Sequence, residues 1–141
     1  MKPSVIAPRR VILVDAGPLV AAIDSDDPHH RWAKAILPQL TGRLLSCEAV
    51  AAAAALLLGH EPIALNSLHG FLQRMELVPV LRDELNGIFA RLQRAAPRMD
   101  LADGCLLALA SRDPDAVVLT TNTRDFATYG VPFVSPLGLF A

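Results

Sequence analysis

"RVILVDAGPLVAAIDS", Arg10 to Ser25, is the stretch that decides the fold. Its first part, Arg10 to Asp15, is a β-branched apolar run that stops at an acid. That pattern predicts a buried strand with a carboxylate at its C-terminal end. Gly17 and Pro18 then turn the chain into a short helix over 16–25, because proline suits a first helical position. Strand, acid and helix in this order form the opening unit of an α/β domain.

The same alternation continues along the chain. "DDPHHRWAKAIL" (26–37) reads as a second helix, capped by Asp26 or Asp27 with Pro28 at its start. "RLLSC" (43–47) is a second strand, and Ser46 or Cys47 begins an alanine-rich helix that ends near Gly59. Residues 61–75 have helical periodicity, "ELVPV" (76–80) is a third strand, and 82–96 is an amphipathic helix ended by Pro97. A helix over 100–112 opens on a carboxylate and is weakened by Gly104, and "AVVLTT" (116–121) is a further strand. "NTRDFATYG" reads as a polar loop or short turn before a brief last strand, "PFVSP" (132–136). The expected architecture is a three-layer α/β/α domain with a mainly parallel central sheet over residues 10–141. Residues 1–9, with Pro3 and Pro8, form an irregular lead-in.

Bulk properties narrow the function. A chain of 141 residues can bury one real core. No run of about 18 apolar residues escapes interruption, so no membrane span is expected. The basic N-terminus, its apolar run cut by Asp15, does not read as a secretory signal. Cys47 and Cys105 lack CxxC spacing and read as buried free thiols, with a disulfide as the alternative, rather than zinc ligands, and a cytoplasmic location is expected by default. The formal net charge of −1 removes bulk phosphate neutralisation as an argument, while leaving room for a local basic patch. No Walker or GxGxxG motif supports nucleotide binding.

In parallel α/β sheets the strand C-termini form the ligand crevice. Asp15 and Asn122 both fall just beyond strand ends and share that rim. Asp100, Asp103 and Asp125 are the other acids of interest. Carboxylates gathered from separate elements suit a hard divalent cation such as Mg²⁺ or Mn²⁺. Each residue also has a structural explanation. Asp15 and Asp100 can cap helices, Asp103 is favoured by a helix dipole, Asn122 suits a turn, and Asp125 can pair with Arg124 or cap a turn. Arg124 can steady a phosphate, with a loop salt bridge as the alternative. The pair His29 and His30 points in different directions on a helix and reads as surface.

The ordered set "VDAGPLVAAIDSDDPHH", "LLSCEAVAAAAALLLG", "MDLADGCLLALAS" and "VVLTTNTRDF" resembles the PIN-domain family, in particular the VapC-like toxins of type II toxin–antitoxin systems. The match runs in order from about residue 10 to residue 136. The resemblance implies a Mg²⁺- or Mn²⁺-dependent endoribonuclease, often a homodimer, with RNA as substrate and a small antitoxin protein as partner. It also implies catalytic roles for Asp15, Asp103 and Asp100, and metal contacts from Asp15, Asp103, Asn122 and Asp125.

The resemblance also exposes a departure. In "EAVAAAAALLL", Glu48 to Leu58, the family places a glutamate where this chain has Ala53. Glu48 lies five residues away, about 140° round a helix, and cannot take over without moving it. Asn122 stands where an aspartate is usual, and the segment around Ala96 lacks an acid often found there. At an effective dielectric near 20, a carboxylate about 4 Å from a divalent ion contributes several kcal/mol of attraction before desolvation. Two readings of Ala53 stand, natural divergence or an introduced substitution. Correspondingly, the chain is either a weakened nuclease or a degenerate PIN domain that binds antitoxin or RNA.

Overall fold

Val11, Ile12, Leu13 and Val14 are buried without exception and form β1, the strand on which the rest is assembled. The computed structural model describes residues 10–141, so the lead-in expected over 1–9 lies outside the described residues. β1 is followed by α1 (Ala16–Ile23), α2 (His30–Ile36) and β2 (Arg43–Ser46). Next come α3 (Glu48–Leu57), α4 (Pro62–Gln73), β3 (Glu76–Leu77), α5 (Leu85–Arg94) and α6 (Leu101–Ala110). The chain closes with β4 (Ala116–Leu119), α7 (Thr123–Tyr129), β5 (Phe133–Ser135) and β6 (Gly138–Phe140).

The strands form one sheet in the order β3-β2-β1-β4-β5-β6, parallel except for the β5–β6 pair. From β1 the chain steps outward through β2 to β3, then returns to β4 on the other side. The topological switch therefore lies between β1 and β4, where Val14 pairs with Leu119. Right-handed crossovers put the helices on both faces and give the α/β/α layers. Both central strands are apolar on both faces, as a sheet covered by helices requires. Full burial of a residue such as Ile12 contributes on the order of 1.5–3 kcal/mol.

Several local expectations needed correction. The segment 122–130, expected as a loop, contains α7. Asn122 Oδ1 accepts from the Asp125 amide, and the Asp125 carboxylate accepts in return from Asn122 Nδ2 at 2.8 Å. Phe126 and Tyr129 then bury one helical face, and Gly130, at φ 78, ends the helix in the left-handed region. The helix expected from residue 26 starts only at His30. Asp27 Oδ1 accepts from the His29 amide instead, in a turn that precedes the helix. The third strand is only Glu76–Leu77, and the antiparallel edge strand β6 was not foreseen. Gly104 has a packing role: a Cβ there would lie 3.1 Å from Leu92 Cδ2 and 3.2 Å from Ile88 Cγ2, so its absence brings α5 close to α6.

Candidate functional site

The crevice beyond β1 and β4 is built by side chains that also finish secondary structure. Asp15 caps α1 in extended backbone, and its Oδ1 accepts from the Ala16 amide at 2.8 Å. Its Oδ2 accepts from Thr120 Oγ1 at 2.7 Å, across the switch point. Thr120 is fully buried, and its hydroxyl oxygen also accepts from the Asn122 amide at 3.0 Å. On the other side, Ser46 Oγ donates to the Val14 carbonyl at 2.9 Å, tying β2 to β1 directly below the acid. Gly17 belongs to the same structure, since a Cβ there would meet Thr121 Oγ1 at 2.0 Å. The Asp15 carboxylate is therefore oriented by both of its oxygens.

Asp103 enters from α6. Asp100 caps that helix by accepting from the Asp103 amide at 2.8 Å, and Asp103 occupies its buried first turn. Tyr129, at the end of α7, donates its hydroxyl to Asp103 Oδ2 at 3.0 Å. Structural caps and site acids are thus the same residues, and the two readings of Asp15 and Asp100 are compatible.

The electrostatics show that these acids share a field. Burial, followed by the charges of Asp15 and Asp100, pushes the Asp103 carboxyl up to about 7, against a partial lowering by Tyr129. Burial also raises Asp15, opposed by its Thr120 and Ala16 hydrogen bonds and reinforced by the charge of Asp100. The ion pairs among the described residues are Arg43–Glu76 and Arg112–Glu84, and neither touches these acids. Among the described residues, repulsion between the carboxylates is therefore not offset by an ion pair.

Asn122 and Asp125 are positioned differently. They hydrogen bond to each other in the cap of α7, so their oxygens are engaged there first. Arg124, read as the partner of a loop salt bridge, makes no ion pair among the described residues. His30 lies close to the helix it follows, with Nδ1 2.7 Å from the Ala21 carbonyl. Cys47 and Cys105 are free and buried as expected, and burial raises both thiols, Cys105 to about 11.

Ala53 is half-buried on α3, which packs against both α1 and α6, the helices that begin at Asp15 and Asp100. Glu48 is exposed at the first turn of α3, beside a cleft of about 570 Å³. Among the described residues, no three His, Cys, Asp or Glu side chains close into a ready-made metal cage. Asp15 and Asp103, with Asp100 beside them, nevertheless suit a hydrated hard cation. Mg²⁺ is usually held by one or two carboxylates and keeps several waters. The donor set is all oxygen, and no ion pair among the described residues neutralises its charge.

Two residues of the site, Thr120 and Tyr129, escaped the sequence reading. A hydroxyl at the end of a predicted strand was the one signal for Thr120, and its partner Asp15 lies 105 positions away. Tyr129 required recognition of α7 first.

The PIN domain family model matches residues 12–131 of the chain. In structure the chain is similar to VapC20 of Mycobacterium tuberculosis, described as a sarcin-ricin loop cleaving toxin. The TM-score is 0.74 at 18% identity, covering 85% of this chain and 95% of that one. At that identity the likeness establishes shared fold. No curated protein matches the sequence.

Proposed function

The chain belongs to the PIN domain family, and from that premise we propose that it is a VapC-like endoribonuclease whose acidic site is weakened by Ala53. The observation that carries this reading is the burial of Asp103 beside Asp15 and Asp100, which lifts its carboxyl to about 7, with no ion pair to these acids among the described residues. Asp15 and Asp103 would hold a Mg²⁺ or Mn²⁺ ion, with Asp100 supporting and Asn122 and Asp125 at the margin. Such an ion, when bound, supplies an activated water and offsets charge on a phosphodiester.

The chain's own residues do the positioning. Thr120 and the Ala16 amide fix the Asp15 carboxylate, and Tyr129 fixes that of Asp103. Burial beside Asp15 and Asp100 raises the Asp103 carboxyl to about 7, so a cation held there would displace its proton. Arg124, exposed in the first turn of α7, is free to meet a phosphate oxygen.

The wider reading follows the family resemblance. The proposed partners are an antitoxin and a second copy of the chain, supported by the exposed apolar side chains of Leu56, Leu57 and Ile63 where α3 meets α4. A cytoplasmic location is supported by two thiols that stay free. A single domain over 10–141 is supported by one sheet that runs from β1 to β6.

Ala53 favours a second reading, a non-catalytic module that retains antitoxin or RNA binding. Cleavage of a structured RNA in Mn²⁺ distinguishes the two, run with the chain as it stands, Asp15→Ala and Ala53→Glu. The nuclease reading expects slow cleavage that Asp15→Ala abolishes and Ala53→Glu accelerates at least about tenfold. Cleavage gained only by Ala53→Glu establishes the module. No cleavage by any of the three removes the nuclease reading.

A further inference from the structure

Beside the acidic crevice lies an open pocket of about 280 Å³ whose charge is opposite. Its walls include Arg91, Arg94, Pro97, Met99, Thr128 and Tyr129. Arg91 and Arg94 stand three apart in the last turn of α5, so their side chains share one helical face. Neither enters an ion pair among the described residues. Two guanidinium groups held on one face repel each other unless an anion lies between them. The hydroxyl of Thr128 is already used, donating to the Asp125 carbonyl at 2.7 Å, which leaves the arginines as the polar recognition elements.

Tyr129 connects this pocket to the acids. Tyr129 is part of the pocket wall, while its hydroxyl donates to Asp103 Oδ2 at 3.0 Å. A negative site and a positive pocket therefore adjoin through one side chain. A polymer with a phosphate at every repeat suits this pairing, one phosphate facing the acids and the next facing the arginines. The guanidinium fork matches phosphate oxygens in geometry as well as charge. The exposed part of an aromatic ring on the path also offers a base a stacking surface.

We propose that the Arg91–Arg94 pocket is a phosphate subsite that binds the RNA backbone next to the phosphodiester presented to Asp15 and Asp103. The inference rests on the ribonuclease reading and adds to it the residues that fix the strand's register. The contact is with the backbone, so it contributes affinity and position without base specificity.

The test is fluorescence anisotropy of a labelled RNA hairpin with a single-stranded loop, titrated in EDTA so that cleavage is off. Arg91→Gln/Arg94→Gln is compared with the unaltered chain. Arg31→Gln/Lys34→Gln on α2 serves as a charge-matched control, and thermal melts check folding of each. The pocket variant should bind about tenfold or more weakly, with a salt slope shallower by about 0.7 for the one lost phosphate contact, while the control stays near the unaltered chain. Equal affinity and slope in the pocket variant overturn the subsite and leave the ribonuclease reading standing. An equal loss in the control overturns it too, because general charge then explains the effect. Failure of the unaltered chain to bind RNA overturns the subsite, while the ribonuclease reading stands or falls by the cleavage assay in Mn²⁺.

Discussion

Tyr129 donates a hydrogen bond to Asp103 at 3.0 Å, joining the end of α7 to the first turn of α6. That bond opposes the burial and like charge that raise Asp103. Tyr129→Phe keeps the ring and removes the donor, so the Asp103 carboxyl should rise further. The acid limb of the pH–rate profile is expected to move to higher pH. Activity lost near pH 7 should be recovered in more alkaline buffer, which loss of folding would not allow.

The raised Asp103 carboxyl also sets a stability gradient. Its folded value, about 7, exceeds its ordinary value of 3.8, so the native state holds the proton more tightly. The associated stability is fully present below the ordinary value and is lost as pH rises through about 7. Asp103→Asn carries no charge to repel Asp15. In EDTA at pH 8 its melting temperature should exceed that of the unaltered chain by a few degrees, with the gap closing toward pH 4. Mn²⁺ should raise the melting temperature of the unaltered chain and leave the variant nearly unchanged.

Asn122 holds the start of α7 by accepting from the Asp125 amide at 3.1 Å. Asn122→Ala should cost about 1 kcal/mol in urea unfolding, whereas Asn122→Asp should retain the cap. Asn122→Asp also returns a carboxylate to the family's usual position and should tighten Mn²⁺ binding.

Gly17 leaves the space that Thr121 fills. Gly17→Ala would put a Cβ 2.0 Å from Thr121 Oγ1 and 3.2 Å from Thr121 Cβ, so the Thr121 side chain must turn and the chain after β4 must give slightly. Overpacking of this kind costs about 1–3 kcal/mol. Because Thr120 is the neighbour of Thr121, the variant should also lose activity beyond its change in denaturation midpoint.

The layered fold was legible because β1 and β4 are unbroken apolar runs and most helices carry a clear start or stop. β6 was not, since three residues at a sheet edge lack a hydrophobic period of their own. α7 was misread because its polar opening resembles a loop. Asn122, Asp125 and Gly130 spell out its cap and its end, but the signal emerges only when they are taken together. Asp15, Asp100 and Asp103 stood out in the sequence as acids at a strand end and a helix start, and the PIN resemblance supplied the roles expected of them. The choice between cap and ligand did not arise as expected, because one carboxylate can orient a helix and still face the crevice. Thr120 and Tyr129 were hidden by distance, each meeting its acid across 105 and 26 positions of sequence.

Convergence of Asp15 and Asp103 on one divalent cation is the central claim, and anomalous diffraction from crystals soaked in Mn²⁺ tests it most directly. One strong peak is expected within coordinating distance of both carboxylates, absent from Asp103→Ala crystals soaked alike. A map with no peak there, or a peak that persists without Asp103, would contradict it.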